Sequence, residues 1–246
     1  MGFTSAAAYD RFMGRWSAPL TLEFLSWLDL SPASRVLDVG CGPGALTAAA
    51  VAACDPSEAF VAAARERHPE VDVRRAVAED LPWPDDSFDA ALAQLVVHFM
   101  TDPVAGLREM ARVCRPGGVV AASVWDHADG GGPLSGYWAA VRELDPDARD
   151  EADMTGARSG DLVRLAHEAG LAEVTGGVLT VTCTFATFEE WWTPYTLGVG
   201  PAGEYVQGLD DTARERLEDR CRAMFPTEPF SIRASAWAVR AVSPSR

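Results

Sequence analysis

The sequence has few basic residues and no long apolar run. Lysine and arginine total 21 against 36 aspartate and glutamate, which gives a net charge of −15 over 246 residues. Binding to nucleic-acid phosphates requires a basic face, and the basic residues here are scattered, so we expect no nucleic-acid partner. No uncharged apolar segment reaches the roughly 20 residues that span a bilayer, so we expect no membrane partner.

Cysteine is also sparse. The five cysteines are an odd number, widely spaced, with no C-x-x-C pair. This usage favours free thiols in a reducing compartment and argues against a zinc site. The N-terminus has no charged segment followed by an apolar run, so we predict no secretory signal and a cytoplasmic location. The sequence leaves the oligomeric state open between a monomer and a homodimer.

Apolar residues make up 48% of the chain, which is enough for one substantial core. Strand-like and helix-like segments alternate, which predicts a doubly wound α/β sheet. Helices are predicted after Ser57, after Asp102-Pro103 and over 159–169, each with a local start or stop signal. The predicted parallel strands cover residues 36–39, 51–55, 71–77, 90–97 and 119–125.

A glycine loop follows the first of these strands. Gly40, Gly42 and Gly44 alternate, and glycine lets the backbone approach a ligand without a Cβ in the way. We expect free N–H groups of this loop, together with the dipole of a following helix, to face an adenosine-bearing cofactor. Gly40, Gly42 and Ala45 also fit the dinucleotide pattern G-x-G-x-x-G/A, so the motif alone leaves the nucleotide open.

The connection after the glycine loop is unusually short. A crossover between parallel strands normally needs a dozen or more residues, yet residues 45–50 look helical and 51–55 already look like the next strand. Either the first helix is shortened to about two turns, or a few residues between Ala48 and Val51 are absent from the chain.

Four passages together carry a family resemblance. Residues 36–44, Asp55-Pro56-Ser57, the turn at 78–89 and the helix with its Pro-Gly-Gly end at 107–118 resemble class I S-adenosylmethionine-dependent methyltransferases of the small-molecule type. The resemblance covers about residues 30–125. It also argues against a dinucleotide as the cofactor, because NAD proteins are not expected to carry Glu-Asp-Leu-Pro-Trp-Pro-Asp-Asp-Ser-Phe-Asp after the third strand.

The resemblance implies a Rossmann-like, seven-stranded, mostly parallel sheet with an antiparallel C-terminal strand pair (174–185 and 231–242) and a helical cap. The chain would be a single methyltransferase domain over 1–246. Its parts would be an N-terminal helical lid (1–30), a cofactor-binding half (31–125), cap inserts (126–158 and 187–229) and sheet completion (159–186 and 230–246).

Two parts of this domain have alternative interpretations. Apolar stripes over residues 5–29 predict one or two helices, which either pack on the sheet edge or form a lid in which Tyr9, Arg15 or Trp16 touches the cofactor. The aromatic residues of the inserts either form the core of the cap or line an apolar substrate pocket. They are Tyr137, Trp138, Trp191, Trp192, Tyr195, Tyr205 and Phe225.

The resemblance implies S-adenosylmethionine as the cofactor and S-adenosylhomocysteine as its product. Asp55 would accept hydrogen bonds from the two ribose hydroxyls. Gln94 would face the amino-acid moiety, and Asp38 would order the loop and the cofactor's ammonium. The implied cofactor-binding residues are Asp38, Gly40, Cys41, Gly42, Gly44, Asp55, Pro56, Ser57, Ala78, Glu79 and Gln94.

The adenine contacts are implied in the same way. Pro56 and Ser57 would flank the ring, and Ala78 and Glu79 would meet its amino edge. Relatives often carry an acid where this chain has Val77, so a side-chain contact to adenine at that position is not expected.

His98, just past the fourth strand, is the candidate catalytic residue. An imidazole that titrates near neutrality and lies beside the methyl group would serve as a general base; otherwise His98 shapes the pocket. Asp126, His127 and Asp129 suggest a metal-dependent catechol-type site, but a Gly-Gly-Gly run follows them, so we expect a solvated loop and no metal.

The function predicted from the sequence is methyl transfer from S-adenosylmethionine to a small acceptor, hydrophobic or aromatic. The alternative is a biosynthetic enzyme of this fold that binds the same cofactor but catalyses a cyclisation or an elimination. A third hypothesis is that the chain is a relative of these enzymes with a regulatory role, or one that does not bind the cofactor. The shortened first helix would favour this hypothesis. The acceptor, and whether O, N or C is methylated, is not determined by the sequence.

Overall fold

The computed structural model describes residues 6–245. Its N-terminal segment is helical throughout: α1 (Ala6–Tyr9), a π-helical turn (Asp10–Gly14) and α2 (Arg15–Leu28). The predicted helices over 5–29 are confirmed for the described part, whereas residues 1–5 of the predicted lid lie outside it. Leu20, Phe24 and Leu28 form the buried face of α2, which packs on the sheet.

A seven-stranded sheet forms the centre of the molecule, in the order β3-β2-β1-β4-β5-β7-β6. The first five strands are parallel, whereas β7 runs antiparallel to both β5 and β6. The predicted fold class, with its antiparallel C-terminal pair, is therefore confirmed. The strands are β1 (Val36–Val39), β2 (Ala52–Asp55), β3 (Asp72–Arg75), β4 (Phe88–Gln94), β5 (Cys114–Trp125), β6 (Ala172–Phe185) and β7 (Phe230–Val242).

Two of the helices around the sheet, those that follow Ser57 and Asp102, begin where local signals predicted. Ser57 Oγ accepts from Phe60 N–H at 3.4 Å, and Asp102 Oδ1 accepts from Ala105 N–H at 3.0 Å. Both are N-caps, which satisfy backbone donors that the first helical turn leaves free. The helices are α3 (Glu58–Arg67), α4 (Pro103–Val113), α5 (Ser135–Leu144), α6 (Asp161–Glu168), α7 (Phe188–Trp192), α8 (Gly200–Gly208) and α9 (Asp211–Arg222).

The crossover from β1 to β2 contains one 3-10 turn, Thr47–Ala49, and no α-helix. The predicted helix of about two turns is therefore wrong. The connection closes with so few residues because Leu46 and Thr47 are both buried, 2% and 0% exposed, so the turn packs directly on the sheet.

The bounds of three strands, β3, β4 and β5, differ most from the prediction. β3 is shorter than the predicted 71–77. β4 ends at Gln94 instead of residue 97, because Leu95 takes a left-handed conformation (φ 62°) and Val97–Phe99 forms a 3-10 turn. β5 begins at Cys114 instead of residue 119, because Cys114 pairs with Phe88 before the register shifts.

The two faces of the sheet are covered differently. Alternate residues of a strand point to opposite faces, so Ala90 and Leu92 pack with α2 and the cap while Ala91 and Ala93 pack with α4 and α6. The N-terminal helix and the cap therefore lie on the same side. Over residues 6–245, no helix has both the length and the apolar character needed to cross a membrane.

Candidate active site

A cavity of about 670 Å³ lies at the carboxyl ends of β1, β2 and β4. Parallel strands bring their carboxyl ends to one edge of the sheet, which is where ligands bind in open α/β folds. This edge collects residues that are far apart in the sequence. The predicted site residues that line the cavity are Asp38, Gly40, Cys41, Gly42, Asp55, Pro56, Ser57, Gln94 and His98.

Three predicted residues do not line this cavity. Gly44 lies behind the loop, where its carbonyl oxygen is 3.0 Å from His68 Nε2. Ala78 is buried, 7% exposed, against the start of α4. The Glu79 carboxylate accepts the N–H groups of Thr101 at 2.7 Å and Asp102 at 3.1 Å, so it anchors the segment before α4.

The backbone donors of the glycine loop are used within the protein. Gly40 and Cys41 both donate to Cys54 O, at 2.7 and 2.9 Å, and Gly44 donates to Cys41 O at 3.0 Å. Gly42 donates to Asp55 Oδ2 at 3.0 Å. The prediction that free N–H groups and a helix dipole face the ligand is therefore wrong, because β2 takes up the donors and no α-helix follows.

The loop instead offers the cavity a surface without side chains. Gly42 has a positive φ of 53°, and a Cβ added there would meet nothing within 4 Å. A side chain at this position would project into open space that Gly42 leaves free. The close approach of a ligand that the alternating glycines predicted would thus depend on the missing Cβ at Gly42 and not on donated hydrogen bonds.

Asp55 is the last residue of β2 and is 7% exposed. Its Oδ1 accepts from Ser57 N–H at 2.8 Å, and its Oδ2 accepts from Gly42 N–H. Burial raises the pKa of Asp55, and these two backbone hydrogen bonds oppose the rise. They hold the carboxylate in one orientation, and each oxygen keeps a second lone pair for a ligand hydroxyl.

Asp38 and Gln94 provide further acceptors on the lining of the cavity. Asp38, 1% exposed, accepts from Thr47 Oγ1 at 2.7 Å. Burial raises its pKa to about 7; the Thr47 hydrogen bond lowers it and Asp55 adds to the rise. Gln94 Nε2 donates into α2, which leaves its buried Oε1 without a partner among the described residues. A carboxyl and an orphaned carbonyl oxygen fit an ammonium group.

Tyr9 and Phe60 form an aromatic wall of the cavity, with ring centroids 5.4 Å apart and planes at 64°. Of the three residues considered for a lid, Tyr9 lines the cavity. Arg15 pairs with Glu190 and lies 4.5 Å over the Phe185 ring, and Trp16 is buried beneath. The N-terminal segment therefore both packs on the sheet and contributes to the site, where Ser17 lines the cavity together with Tyr9.

A second, smaller space of about 60 Å³, which we name the inner pocket, adjoins the cavity. His98 belongs to the lining of both. The other lining residues of the inner pocket are Tyr9, Met13, Leu95, Phe99, Trp125, His127, Leu134, Glu151, Met154, Val199, Gly200 and Pro201. They come from the N-terminal segment, the strand ends and both inserts.

The sequence predicted that His98 titrates near neutrality, and it does not. Burial, with a smaller contribution from His127, lowers its pKa to about 3. The two imidazole rings lie 6.0 Å apart at 69°. His98 is therefore neutral at pH 7 and binds a proton weakly. Its burial thus favours a role in shaping the pocket over that of a general base.

Glu151 is a site residue that the sequence argument missed. It is 5% exposed and lines the inner pocket. Its neighbours Arg149, Asp150 and Asp153 make the segment look solvated, so no local signal distinguishes it. Burial raises the pKa of Glu151 to about 7, and the nearby Trp138 indole partly opposes the rise.

The aromatic residues of the inserts pack on one another. Tyr137 stacks on Tyr195 at 4.4 Å, and Trp191 lies 4.9 Å from Tyr195 and 5.1 Å from Phe225. The seven insert aromatics named from the sequence line neither the cavity nor the inner pocket. Of the two interpretations, the core of the cap is the one that this packing supports.

The loop with Asp126, His127 and Asp129 is tied by hydrogen bonds of its own. Asp126 Oδ1 accepts from Asp129 N–H at 2.9 Å, and Asp129 Oδ2 accepts from Ser159 N–H at 3.5 Å. His127 turns to the inner pocket. Within the described residues, no three His, Cys, Asp or Glu side chains cluster in a way that would hold a metal ion.

Residues 37–122 match a family model described as a methyltransferase domain, and they contain the glycine loop, Asp55 and Gln94. This segment of the chain is a methyltransferase domain. Similar proteins include an uncharacterized methyltransferase of Mycobacterium tuberculosis, 38% identical over 136 residues, which cover 52% of this chain and 54% of that protein. The chain thus spans about half the length of the first relatives that it matches.

Two further proteins are similar to this chain. Demethylmenaquinone methyltransferase of Corynebacterium glutamicum is 39% identical over 99 residues, 37% of this chain and 41% of that protein. The YcgJ protein of Bacillus subtilis superposes with a TM-score of 0.59 at 19% identity, covering 93% of this chain and 99% of that chain. At that identity the superposition shows a common fold.

Proposed function

We propose that this protein binds S-adenosylmethionine in the large cavity and transfers its methyl group to a small, apolar or aromatic acceptor. The observation that carries the proposal is the placement of Asp55, Asp38 and Gln94 around one 670 Å³ cavity at the carboxyl edge of the methyltransferase domain. The three side chains match the polar ends of this cofactor: Asp55 suits the ribose hydroxyls, and the other two suit the ammonium.

The protein's own contribution would be alignment and exclusion of water. The bound cofactor supplies a methyl group on a sulfonium, which already has a good leaving group, so little covalent chemistry is asked of the protein. Asp55 would fix the ribose through its two oriented oxygens. Tyr9 and Phe60 would cover the adenosine end, and Gly42 would allow close approach.

The small apolar acceptor is supported by two observations. The inner pocket, next to the cavity, has walls of Met13, Leu95 and Leu134, together with the first residues of α8. One relative is named a demethylmenaquinone methyltransferase. A pocket this small, with this lining, admits a compact apolar group more readily than a polymer.

A calorimetric titration with S-adenosylhomocysteine tests the cofactor site directly. We expect micromolar binding at one site per chain, and a loss of more than tenfold in affinity for Asp55→Ala. The lost hydrogen bonds to a charged group are worth about 1.5–3 kcal/mol each, and tenfold is about 1.4 kcal/mol. Glu66→Ala, an exposed carboxylate on α3, is the matched control and should bind like the wild type.

Each result has a clear meaning. No binding to the folded wild-type chain would refute the cofactor assignment, and unchanged affinity in Asp55→Ala would remove Asp55 from the ribose role. With binding established, transfer of labelled methyl groups to a panel of small aromatic acceptors tests the reaction. Conversion of an acceptor without incorporation of label would favour the cyclisation or elimination alternative.

A further inference from the structure

The inner pocket contains buried polar atoms that the protein leaves unpaired. Glu151 Oε2, Trp125 Nε1 and His98 Nδ1 have no hydrogen-bond partner among residues 6–245, and bulk solvent does not reach them. Trp138 Nε1, outside the pocket, is likewise unpaired and lies close enough to Glu151 to lower the pKa of its carboxyl, so it takes up at most one of the acceptor positions of this carboxylate. All three side chains line this one pocket. Buried polar groups in native proteins nearly always have a partner, and a group that lacks one weakens the fold. The Glu151 acceptor and the Trp125 donor on one small space indicate a ligand group that would pair with both.

The chemistry of the three atoms restricts that ligand group. An indole N–H can only donate, whereas an ionised carboxylate can only accept. A hydroxyl does both at once, because it has one hydrogen to give to Glu151 and lone pairs to accept from Trp125. An ammonium group would leave the Trp125 donor unpaired, and a carboxylate would be repelled by Glu151.

The rest of the pocket restricts the body that carries the hydroxyl. Met13, Leu95 and Leu134 are apolar walls, and Phe99 lies against His98 with ring centroids 4.0 Å apart. The space, about 60 Å³, suits the edge of one ring and not a fused system. Because His98 borders both spaces, a group held here would lie next to the cofactor cavity.

We propose that the inner pocket binds the reacting end of the acceptor as an aromatic hydroxyl, with Glu151 accepting its hydrogen and Trp125 donating to its oxygen. The inference rests on the proposed function and names the substrate class for that site. Glu151 and Trp125 are then the residues that determine specificity for a phenol over an aryl ether or an amine.

The test uses the full chain saturated with S-adenosylhomocysteine at pH 8, where Glu151 is mostly ionised. Calorimetry compares p-cresol with 4-methylanisole, which has the same ring but no O–H to donate, and with benzylamine, which carries an ammonium. We expect p-cresol to bind at least tenfold more tightly than either. In Glu151→Gln the p-cresol affinity should fall at least tenfold, and in Trp125→Phe at least threefold.

The control variant is Asp153→Asn, in the same loop, whose carboxylate side chain is 97% exposed; it should bind p-cresol like the wild type. S-adenosylhomocysteine affinity should stay within twofold of the wild type in every variant, which also shows that each is folded. Equal affinities for the three ligands, no p-cresol binding, or no effect of Glu151→Gln would overturn the phenol assignment while leaving cofactor binding intact. Failure of the wild type to bind S-adenosylhomocysteine would instead overturn the proposed function.

Discussion

Asp38 should couple cofactor binding to the release of a proton. In the free protein its carboxyl is buried, with a pKa raised to about 7 from an ordinary value of 3.8, so it carries a proton for part of the time at neutral pH. A cofactor ammonium beside it would favour the ionised form and lower that pKa again. Binding therefore requires Asp38 to lose its proton, so a change of pH should change the affinity for the cofactor.

The size of the effect follows from the pKa. If the bound form is fully ionised, the apparent dissociation constant scales with 1 + 10^(pKa − pH), a factor of about 11 at pH 6 and about 1.1 at pH 8. Affinity should thus rise about tenfold from pH 6 to pH 8 and then level off. His98 and His127, with pKa values lowered to about 3 and about 4, stay neutral throughout this window. Glu151, with a pKa raised to about 7, titrates in the same window, but it lines the inner pocket and not the cofactor cavity.

Calorimetric titration with S-adenosylhomocysteine at pH 6, 7 and 8 measures this directly. Repeating each titration in two buffers of different ionisation enthalpy counts the protons released, about 0.9 per complex at pH 6 and about 0.1 at pH 8. Asp38→Asn removes the titrating group while keeping the shape. This variant should bind more weakly at pH 8 and lose most of the pH dependence.

A dissociation constant that stays within twofold between pH 6 and pH 8, with no proton release, would refute this reasoning. It would mean that Asp38 does not meet the ammonium or is already ionised in the free protein. A tenfold dependence that survives in Asp38→Asn would assign the proton to another group. Asp55, whose pKa is also raised by burial, would then be the first to substitute.

Three further predictions concern single side chains. In Gly42→Ala the added methyl projects into the cavity at a positive φ, so stability should fall by about 1 kcal/mol while S-adenosylhomocysteine affinity falls at least tenfold; equal affinity would place the cofactor elsewhere. Thr47→Val removes the hydroxyl that donates to Asp38, and the loss of this hydrogen bond raises the Asp38 pKa. Affinity for S-adenosylhomocysteine at pH 7 should therefore drop about threefold and recover by pH 9; a drop that persists at pH 9 would contradict this cause. Asp102→Ala removes the N-cap of α4 and should cost about 1 kcal/mol in urea unfolding without changing cofactor affinity; a change in affinity would show that α4 communicates with the site.

Features that depend on neighbours in the chain were predictable from the sequence. The caps at Ser57 and Asp102 join a side chain to a backbone N–H three residues on, so a short motif suffices. Alternating strand and helix patterns predicted the sheet, and the final antiparallel pair followed from the family resemblance. The family resemblance implied one site for Asp38, Asp55 and Gln94, and the structure brings them to one edge because the carboxyl ends of parallel strands meet there.

Features that depend on partners distant in the chain were not predictable from the sequence. The Gly40 and Cys41 donors looked free because the sequence does not show that Cys54 O on the adjacent strand would accept both. The first crossover looked helical by composition, but its few residues must reach from β1 to β2, and a single 3-10 turn does so. In both cases the pairing of β1 with β2 decided the outcome.

The sequence by itself determined the sheet and the residues at its carboxyl edge, because periodicity and short motifs encode them locally. Only the tertiary structure decided the character of the inner pocket. Glu151 lies in an acidic, solvated-looking segment, yet the fold buries it beside Trp138 and raises its pKa to about 7. His98 is likewise displaced from neutral titration by burial, because removal from water penalises a charged group and only packing determines how much water remains.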